Sequence, residues 1–151
     1  MIAIAYPPYQ PKVKVQANGR LIFDPVRRQW VALTPEEWVR QHFLQYLLQV
    51  KNYPATLMAV EKEIDLWGLR KRCDIVVFDT GNTAPKLLVE CKQPSVALDK
   101  KVIDQVLRYN MNLQVPYIVI TNGTHTAAFH CGPAGFNALA AIPDWAALTM
   151  I

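Results

Sequence analysis

The stretch Arg72–Pro94, RCDIVVFDTGNTAPKLLVECKQP, decides the fold because two apolar runs flank a short turn-forming segment. The runs 72–78 and 87–89 are rich in β-branched and large apolar side chains, which predicts two buried strands. Segment 79–85 between them has the composition of a turn. A connection this short favours antiparallel pairing of the two strands.

Charged side chains at the end of the second strand are unusual and need partners, because burying them otherwise costs free energy. Residues two apart in a strand share a face, so Glu90 and Lys92 are expected to point one way and Cys91 the other. Asp74, on the preceding strand, is expected beside them if the two strands pair in ordinary register. Paired carboxylates with a backbone carbonyl are ligands that Mg²⁺ prefers. We therefore predict a metal site here, with Lys92 placed to orient a reacting water.

A helix is predicted on each side of this group of strands. Segment 34–51 is predicted as the first helix, since Thr34 can cap it, Pro35 suits the first helical position and Glu37 completes a capping box. Segment 99–113 is predicted as the second helix, because apolar residues recur there at helical spacing. A helical crossover between the third and fourth strands predicts that those two strands are parallel.

Three further strands are predicted, at 56–65, 115–121 and 126–130. Asn18-Gly19 between two alternating apolar segments predicts a hairpin within 13–33. The expected order is α-β-β-β-α-β-β after this N-terminal hairpin. It corresponds to an α/β (α+β) fold in which helices flank a mixed sheet.

The 151 residues, 52% of them hydrophobic, suit one domain with a sizeable core. We divide the chain into an extended segment 1–12, the hairpin 13–33, a core 34–131 and a C-terminal extension 132–151 that includes a short closing helix. The formal charge of +4 is compatible with a polyanionic partner. Three cysteines without a CxxC pair, together with the lack of a signal peptide or membrane-spanning run, predict a reduced, cytoplasmic protein without membrane partners.

The motifs occur in an order that resembles a known family. The opening stretch is preceded by LTPEEWVRQ at 33–41 and followed by DQVLRYN at 104–110 and VPYIVITNG at 115–123. This series resembles the PD-(D/E)xK nuclease superfamily. Within that superfamily it is most similar to the N-terminal nuclease domain of type I restriction enzyme R subunits and to short stand-alone proteins built from it. Cys73 stands where the superfamily has its name-giving proline.

The resemblance implies a restriction-endonuclease-like fold and cleavage of DNA with Mg²⁺, or with Mn²⁺ as a substitute. Asp74 and Glu90 are then the metal ligands, aided by the backbone carbonyl of Cys91, and Lys92 is the catalytic lysine. The resemblance also implies a first-helix glutamate at the site, taken as Glu37 with Glu36 as the alternative. It further implies that Gln105 and Tyr109, the QxxxY pair, touch DNA or orient the catalytic groups.

Each assignment has a structural alternative. The capping box alone explains Glu37, a strand-end ion pair explains Glu90 and Lys92, and helix packing explains the QxxxY pair. Arg72 shares the face of Asp74 and suits a phosphate contact or a salt bridge equally. The leading hypothesis is a Mg²⁺-dependent endonuclease whose partners are DNA and restriction-system subunits. The alternative is a DNA-binding or assembly module with the same fold that does not cut.

Overall fold

A computed structural model describes residues 1–81 and 84–149. The strands are β1 Val13–Gln16, β2 Gly19–Asp24, β3 Gln29–Ala32, β4 Met58–Leu66, β5 Leu69–Phe78, β6 Pro85–Cys91, β7 Tyr117–Thr121, β8 Thr126–Gly132 and β9 Gly135–Ala138. The helices are α1 Pro35–Gln49, α2 Lys100–Asn110 and α3 Trp145–Thr149, with 3₁₀ turns at Ala55–Leu57 and Met111–Leu113. The predicted turn at 79–85 includes residues 82–83, and the C-terminal extension includes residues 150–151; both pairs lie outside the described residues.

The strands form two sheets. The first has the order β1-β2-β3 and the second the order β4-β5-β6-β7-β8-β9. All neighbouring strands pair antiparallel except β6 and β7, which are parallel and are joined through α2. The parallel pair confirms the predicted crossover, and the mixed sheet with flanking helices confirms the predicted fold class. None of the helices within 1–81 and 84–149 is long and apolar enough to cross a bilayer.

The large sheet separates two apolar clusters. One packs α1 on the sheet and includes Phe43, Leu44, Leu47, Ile75, Val77, Leu87, Val89 and Cys91. The other packs α2 on the opposite face and includes Cys73, Val76, Leu88, Val106, Leu113 and Ile118. Side chains of β6 alternate between these clusters, as the period of two requires. Val89 and Cys91 thus belong to the α1 side, and Leu88 to the α2 side.

The structure corrects several local predictions. The N-terminal hairpin is a three-stranded sheet, because 29–32 turns back and pairs with β2. The strand β9 was not predicted; it is a four-residue edge strand, too short for an alternating pattern. The first helix, predicted to reach residue 51, ends at Gln49, and Val50 directly after it is exposed. The extended start of the chain is tied to the core, since Ile2 is buried and its N–H donates to the Thr126 carbonyl at 2.7 Å.

Candidate active site

The strand alternation breaks where Asp74 enters the sheet. The pairing of β4 with β5 is regular on both sides of this point, but Glu61, opposite Asp74, leaves the ladder and has a φ of +54°. A positive φ is uncommon for a non-glycine residue and is maintained only when the surroundings fix it. As a consequence Ile75 packs on the α1 side, whereas Cys73, two residues earlier, packs on the α2 side. The expectation of ordinary alternation around Asp74 is therefore wrong.

The carboxylate of Asp74 is buried and has donors on both oxygens. Its Oδ2 accepts the backbone N–H of Cys91 at 2.8 Å, and its Oδ1 accepts Nη1 of Arg40 at 3.0 Å. Cys91 is the middle residue of the Glu-x-Lys motif. Its N–H thus joins the motif aspartate to the end of β6 through one hydrogen bond.

Arg40 is the cation at the centre of a group of four carboxylates. Its guanidinium lies 3.3 Å from Glu37 and 3.6 Å from Glu36, and it also contacts Glu61 and Asp74. Burial acts to lower the pKa of Arg40, but these negative charges outweigh it and the pKa is raised above its usual value. Arg40 therefore stays charged and compensates the acidic group.

Glu36, Glu61 and Asp74 form a compact acidic cluster in which one oxygen of each lies within 4.8 Å of the others. The first-helix glutamate beside Asp74 is thus Glu36. The predicted Glu37 is bound elsewhere: Arg27 donates to both of its oxygens at 3.0 Å, and Gln41 donates at 3.0 Å. The backbone N–H of Glu37 also donates to Thr34 Oγ1 at the helix cap. These contacts account for the Glu37 carboxylate without a metal, and its role as a site residue stays a prediction.

Glu61 was missed by the sequence reasoning. Met58 and Val60 are buried, so regular alternation puts Glu61 on the outward side of β4. The positive φ turns it back toward α1, where Arg40 binds it, and Arg72 Nε lies 2.6 Å from its Oε2. No pattern of residue types signals a change in one backbone angle.

Burial raises the pKa of Asp74 to about 7. The neighbouring charges of Glu90 and Glu36 act in the same direction, whereas the Cys91 N–H bond and Arg40 act against it. Crowded carboxylates disfavour one another's ionised forms unless a cation joins them. The oxygen donors of this cluster therefore fit a divalent cation such as Mg²⁺, which prefers carboxylate oxygens.

Glu90 lies toward α2 rather than toward Asp74. It forms an ion pair with Lys71, whose Nζ also donates to Asn110 Oδ1 at 2.8 Å and lies 4.8 Å from the ring centroid of Tyr109. The predicted side-by-side meeting of the Asp74 and Glu90 carboxylates is therefore not observed. The broken alternation at Asp74 is the cause, because it sends the two side chains to opposite faces of the sheet. Lys71 was not among the predicted site residues.

The other predicted residues line one cleft of about 470 Å³ between β5, the end of β6 and α2. Its polar lining consists of Lys71, Arg72, Glu90, Lys92, Gln105 and Tyr109. No acidic side chain within 1–81 and 84–149 pairs with Lys92. Cys91 faces away into the α1 cluster, where complete burial raises the pKa of its thiol. The Asp74 cluster and this cleft thus lie on the two sides of one strand end.

Loss of the Lys71–Glu90 pair is expected to destabilise the metal-free protein. Both side chains are at least 85% buried. Replacing Lys71 by methionine leaves a buried carboxylate without its cation, which costs on the order of 2–3 kcal/mol in the free energy of unfolding. Lys100→Met is the matched control, since Lys100 pairs with Asp104 but is 90% exposed. Its loss is expected to be under about 0.5 kcal/mol. Urea unfolding in EDTA measures both, and equal losses would contradict the buried pair.

In EDTA the free energy of unfolding is also expected to fall as the pH rises from about 5 to 8. The folded protein keeps a proton on Asp74 up to a pKa of about 7, whereas an unfolded aspartate loses it near 3.8. The folded state therefore binds more protons in this interval, and raising the pH favours unfolding by on the order of 3 kcal/mol. Urea unfolding at both pH values is to be compared with Asp74→Asn. The same fall in both proteins would show that Asp74 is not its source.

Comparison with known proteins gives one family match. A model described as the type I restriction enzyme R protein N terminus matches residues 35–143. The matched segment begins with the first residue of α1 and ends beyond β9, so it contains all the predicted site residues. A search of curated proteins finds no match.

Proposed function

This chain belongs to the family of the type I restriction enzyme R protein N terminus, and from that premise we propose that it is a Mg²⁺-dependent DNA endonuclease. The observation that carries the proposal is the 2.8 Å hydrogen bond from Cys91 N–H to Asp74. It fixes an aspartate with a raised pKa, set among other carboxylates, to the Glu-x-Lys segment. An ion pair that only stabilises the fold does not require several carboxylates around one aspartate.

In this proposal, Asp74 is the central metal ligand, with Glu36 as the first-helix carboxylate and the Cys91 carbonyl as a motif partner. Glu90 is the second motif partner and joins them by leaving Lys71. When bound, a divalent cation polarises the phosphodiester and makes water a better nucleophile. Lys92 Nζ orients the attacking water and stabilises the negative charge that develops on the phosphate.

The cleft beside Lys92 is proposed to receive the DNA backbone. Gln105 supplies an uncharged donor and acceptor there, and Tyr109 is 63% exposed at its edge. Arg72, 66% exposed although it binds Glu61, is the cation proposed to reach a phosphate. Restriction-system subunits acting in trans are the proposed protein partners.

The alternative is a DNA-binding or assembly module that does not cut. One observation favours it: both acidic groups already have protein cations, because Arg40 lies among the carboxylates around Asp74 and Lys71 holds Glu90. On this alternative, the charges balance one another without a metal, and the chain serves only to retain DNA for a partner.

Incubation of the protein with supercoiled plasmid separates the two functions. The endonuclease is expected to nick or linearise the plasmid in Mg²⁺ or Mn²⁺ and not in EDTA. Asp74→Asn, purified in parallel, is the control for contaminating nucleases and is expected to be inactive. Retention of the plasmid on a gel without any cleavage in either cation would support the alternative. Equal cleavage by Asp74→Asn would overturn the proposed site.

A further inference from the structure

Aromatic rings and lysines share the outer face of the β1-β2-β3 sheet. Phe23 and Trp30 are cross-strand partners whose ring centroids lie 5.5 Å apart. Lys14 Nζ lies 4.3 Å from the centroid of Trp30, and Lys12 Nζ lies 5.7 Å from that of Phe23. We refer to these four residues as the aromatic sheet face.

The opposite face of the same sheet is anchored on α1. Ile22 and Asp24 are fully buried there. Asp24 Oδ2 accepts Gln41 Nε2 at 2.9 Å and pairs with Arg27, which in turn pairs with Glu37. The sheet is therefore fixed to the first turns of α1 through its inner side. Its outer side stays exposed, and Trp30 remains 37% accessible.

The formal charge excess of the chain lies entirely in this N-terminal part. Residues 1–33 contain five basic residues and one acid, a net charge of +4, while residues 34–151 contain eleven basic and eleven acidic residues. The one acid, Asp24, is buried and paired with Arg27. The surface of the sheet is thus positive without a compensating exposed carboxylate of its own. A polyanion is the complementary partner.

We propose that the aromatic sheet face binds single-stranded nucleic acid. Exposed aromatic rings on a basic surface bind unpaired bases by stacking and phosphates by charge, without a sequence requirement. A flexible lysine side chain lies over each ring. A base stack is worth more than an exposed cation–π contact, so a base displaces Lys14 from Trp30 and the ammonium turns to a phosphate. Paired bases in a duplex offer no free faces to these rings.

The anchor joins the inner side of this sheet to the helix that carries Glu36. Arg27 ties the sheet to Glu37, which directly precedes Trp38 in α1 and directly follows Glu36 of the acidic cluster. The aromatic sheet face lies on the other side of the sheet from this helix turn, so a nucleic-acid strand bound there is held across the sheet from α1. The inference goes beyond the proposed endonuclease activity, because it uses none of the residues assigned to cleavage.

Fluorescence anisotropy of a labelled 15-residue oligothymidine, with the full chain in EDTA, tests this proposal. Trp30→Ala is expected to raise the Kd about tenfold, which is the loss of one base stack. Trp67→Ala is the matched control, since Trp67 is 74% exposed in the turn between β4 and β5, and it is expected to leave the Kd unchanged. Trp30→Phe keeps an aromatic plane and is expected to restore most of the affinity. This variant separates a stacking role from a loss of folding.

The salt dependence of the same binding reports the phosphate contacts. Replacing Lys12 and Lys14 together by alanine is expected to reduce the slope of log Kd against log salt by about 1.4, since each phosphate contact to a single strand contributes about 0.7. Lys86→Ala, on β6, is the control and is expected to keep the slope.

Equal Kd values of the wild type and Trp30→Ala for oligothymidine would overturn the proposal. It would also be overturned if the wild type bound a duplex of the same length as tightly as oligothymidine and Trp30→Ala weakened both equally. The assay contains no metal and measures binding rather than cleavage, so its result is independent of whether the chain cuts DNA.

Discussion

Replacing Lys92 by alanine is expected to reduce Mg²⁺-dependent DNA cleavage by at least about a hundredfold, the usual effect of removing a proton-handling or charge-stabilising group. The position of Lys92 is fixed by the sheet, because its backbone N–H donates to the Thr121 carbonyl at 2.8 Å. Its side chain lines the cleft, and no acid within the described residues binds it. The ammonium is therefore available to substrate rather than committed to the fold.

The reduction is expected in kcat, with KM for DNA changed only slightly, since the interaction is made mainly in the transition state. Lys86→Ala removes the same charge near the start of β6 and is the control for a general loss of positive charge. A variant with normal kcat and a raised KM would make Lys92 a DNA-binding residue only. Unchanged cleavage would remove it from the mechanism.

Replacing Arg40 by methionine is expected to cost about 3–5 kcal/mol in the free energy of unfolding in EDTA. The guanidinium is 95% buried and contacts Glu36, Glu37, Glu61 and Asp74. Methionine fills much of the same volume but leaves the cluster of Glu36, Glu61 and Asp74 without its buried cation. Mg²⁺ is expected to recover part of the loss, because a ligand that binds only the folded state stabilises it.

Arg70→Met is the matched control for this variant. Arg70 lies 3.4 Å from Glu63 and 3.8 Å from Asp65, but its side chain is 74% exposed. Its replacement is expected to change stability by less than about 0.5 kcal/mol. Urea unfolding of Arg40→Met and of Arg70→Met, each with and without Mg²⁺ and each compared with the wild type, measures these changes. A loss under about 1 kcal/mol for Arg40→Met, or no recovery with Mg²⁺, would contradict the central role of this cation.

The main elements were predictable because their signals are local. The Thr34 cap of α1 is confirmed, since Thr34 Oγ1 accepts the Glu37 N–H at 3.0 Å, whereas the Glu37 carboxylate binds Arg27 and Gln41 instead of completing the capping box. The apolar runs of β5 and β6 and the helical crossover to β7 required only periodicity and the preference for short connections. The four-residue strand β3 was missed because its stability comes from β2 and from the anchor of Asp24 on α1, which are tertiary contacts.

The arrangement of the site was predictable only in part. Placing Glu90 and Lys92 on one side of the chain at the end of β6 followed from the period of two, and both line the same cleft. The separation of Glu90 from Asp74 depends on one positive φ, at Glu61. The choice of Glu36 over Glu37 depends on Arg27, which binds Glu37 from ten residues away. Neither a single backbone angle nor a tertiary ion pair leaves a repeating pattern in the sequence.

The most direct test of a metal-dependent active site is calorimetric titration of the protein with Mg²⁺ in the absence of DNA. The wild type is expected to bind the cation, Asp74→Asn is expected not to, and Asp65→Asn, which removes an exposed carboxylate of β4, is expected to bind as the wild type does. Absence of binding by the wild type, or equal binding by Asp74→Asn, would contradict the assignment of Asp74 as the central metal ligand.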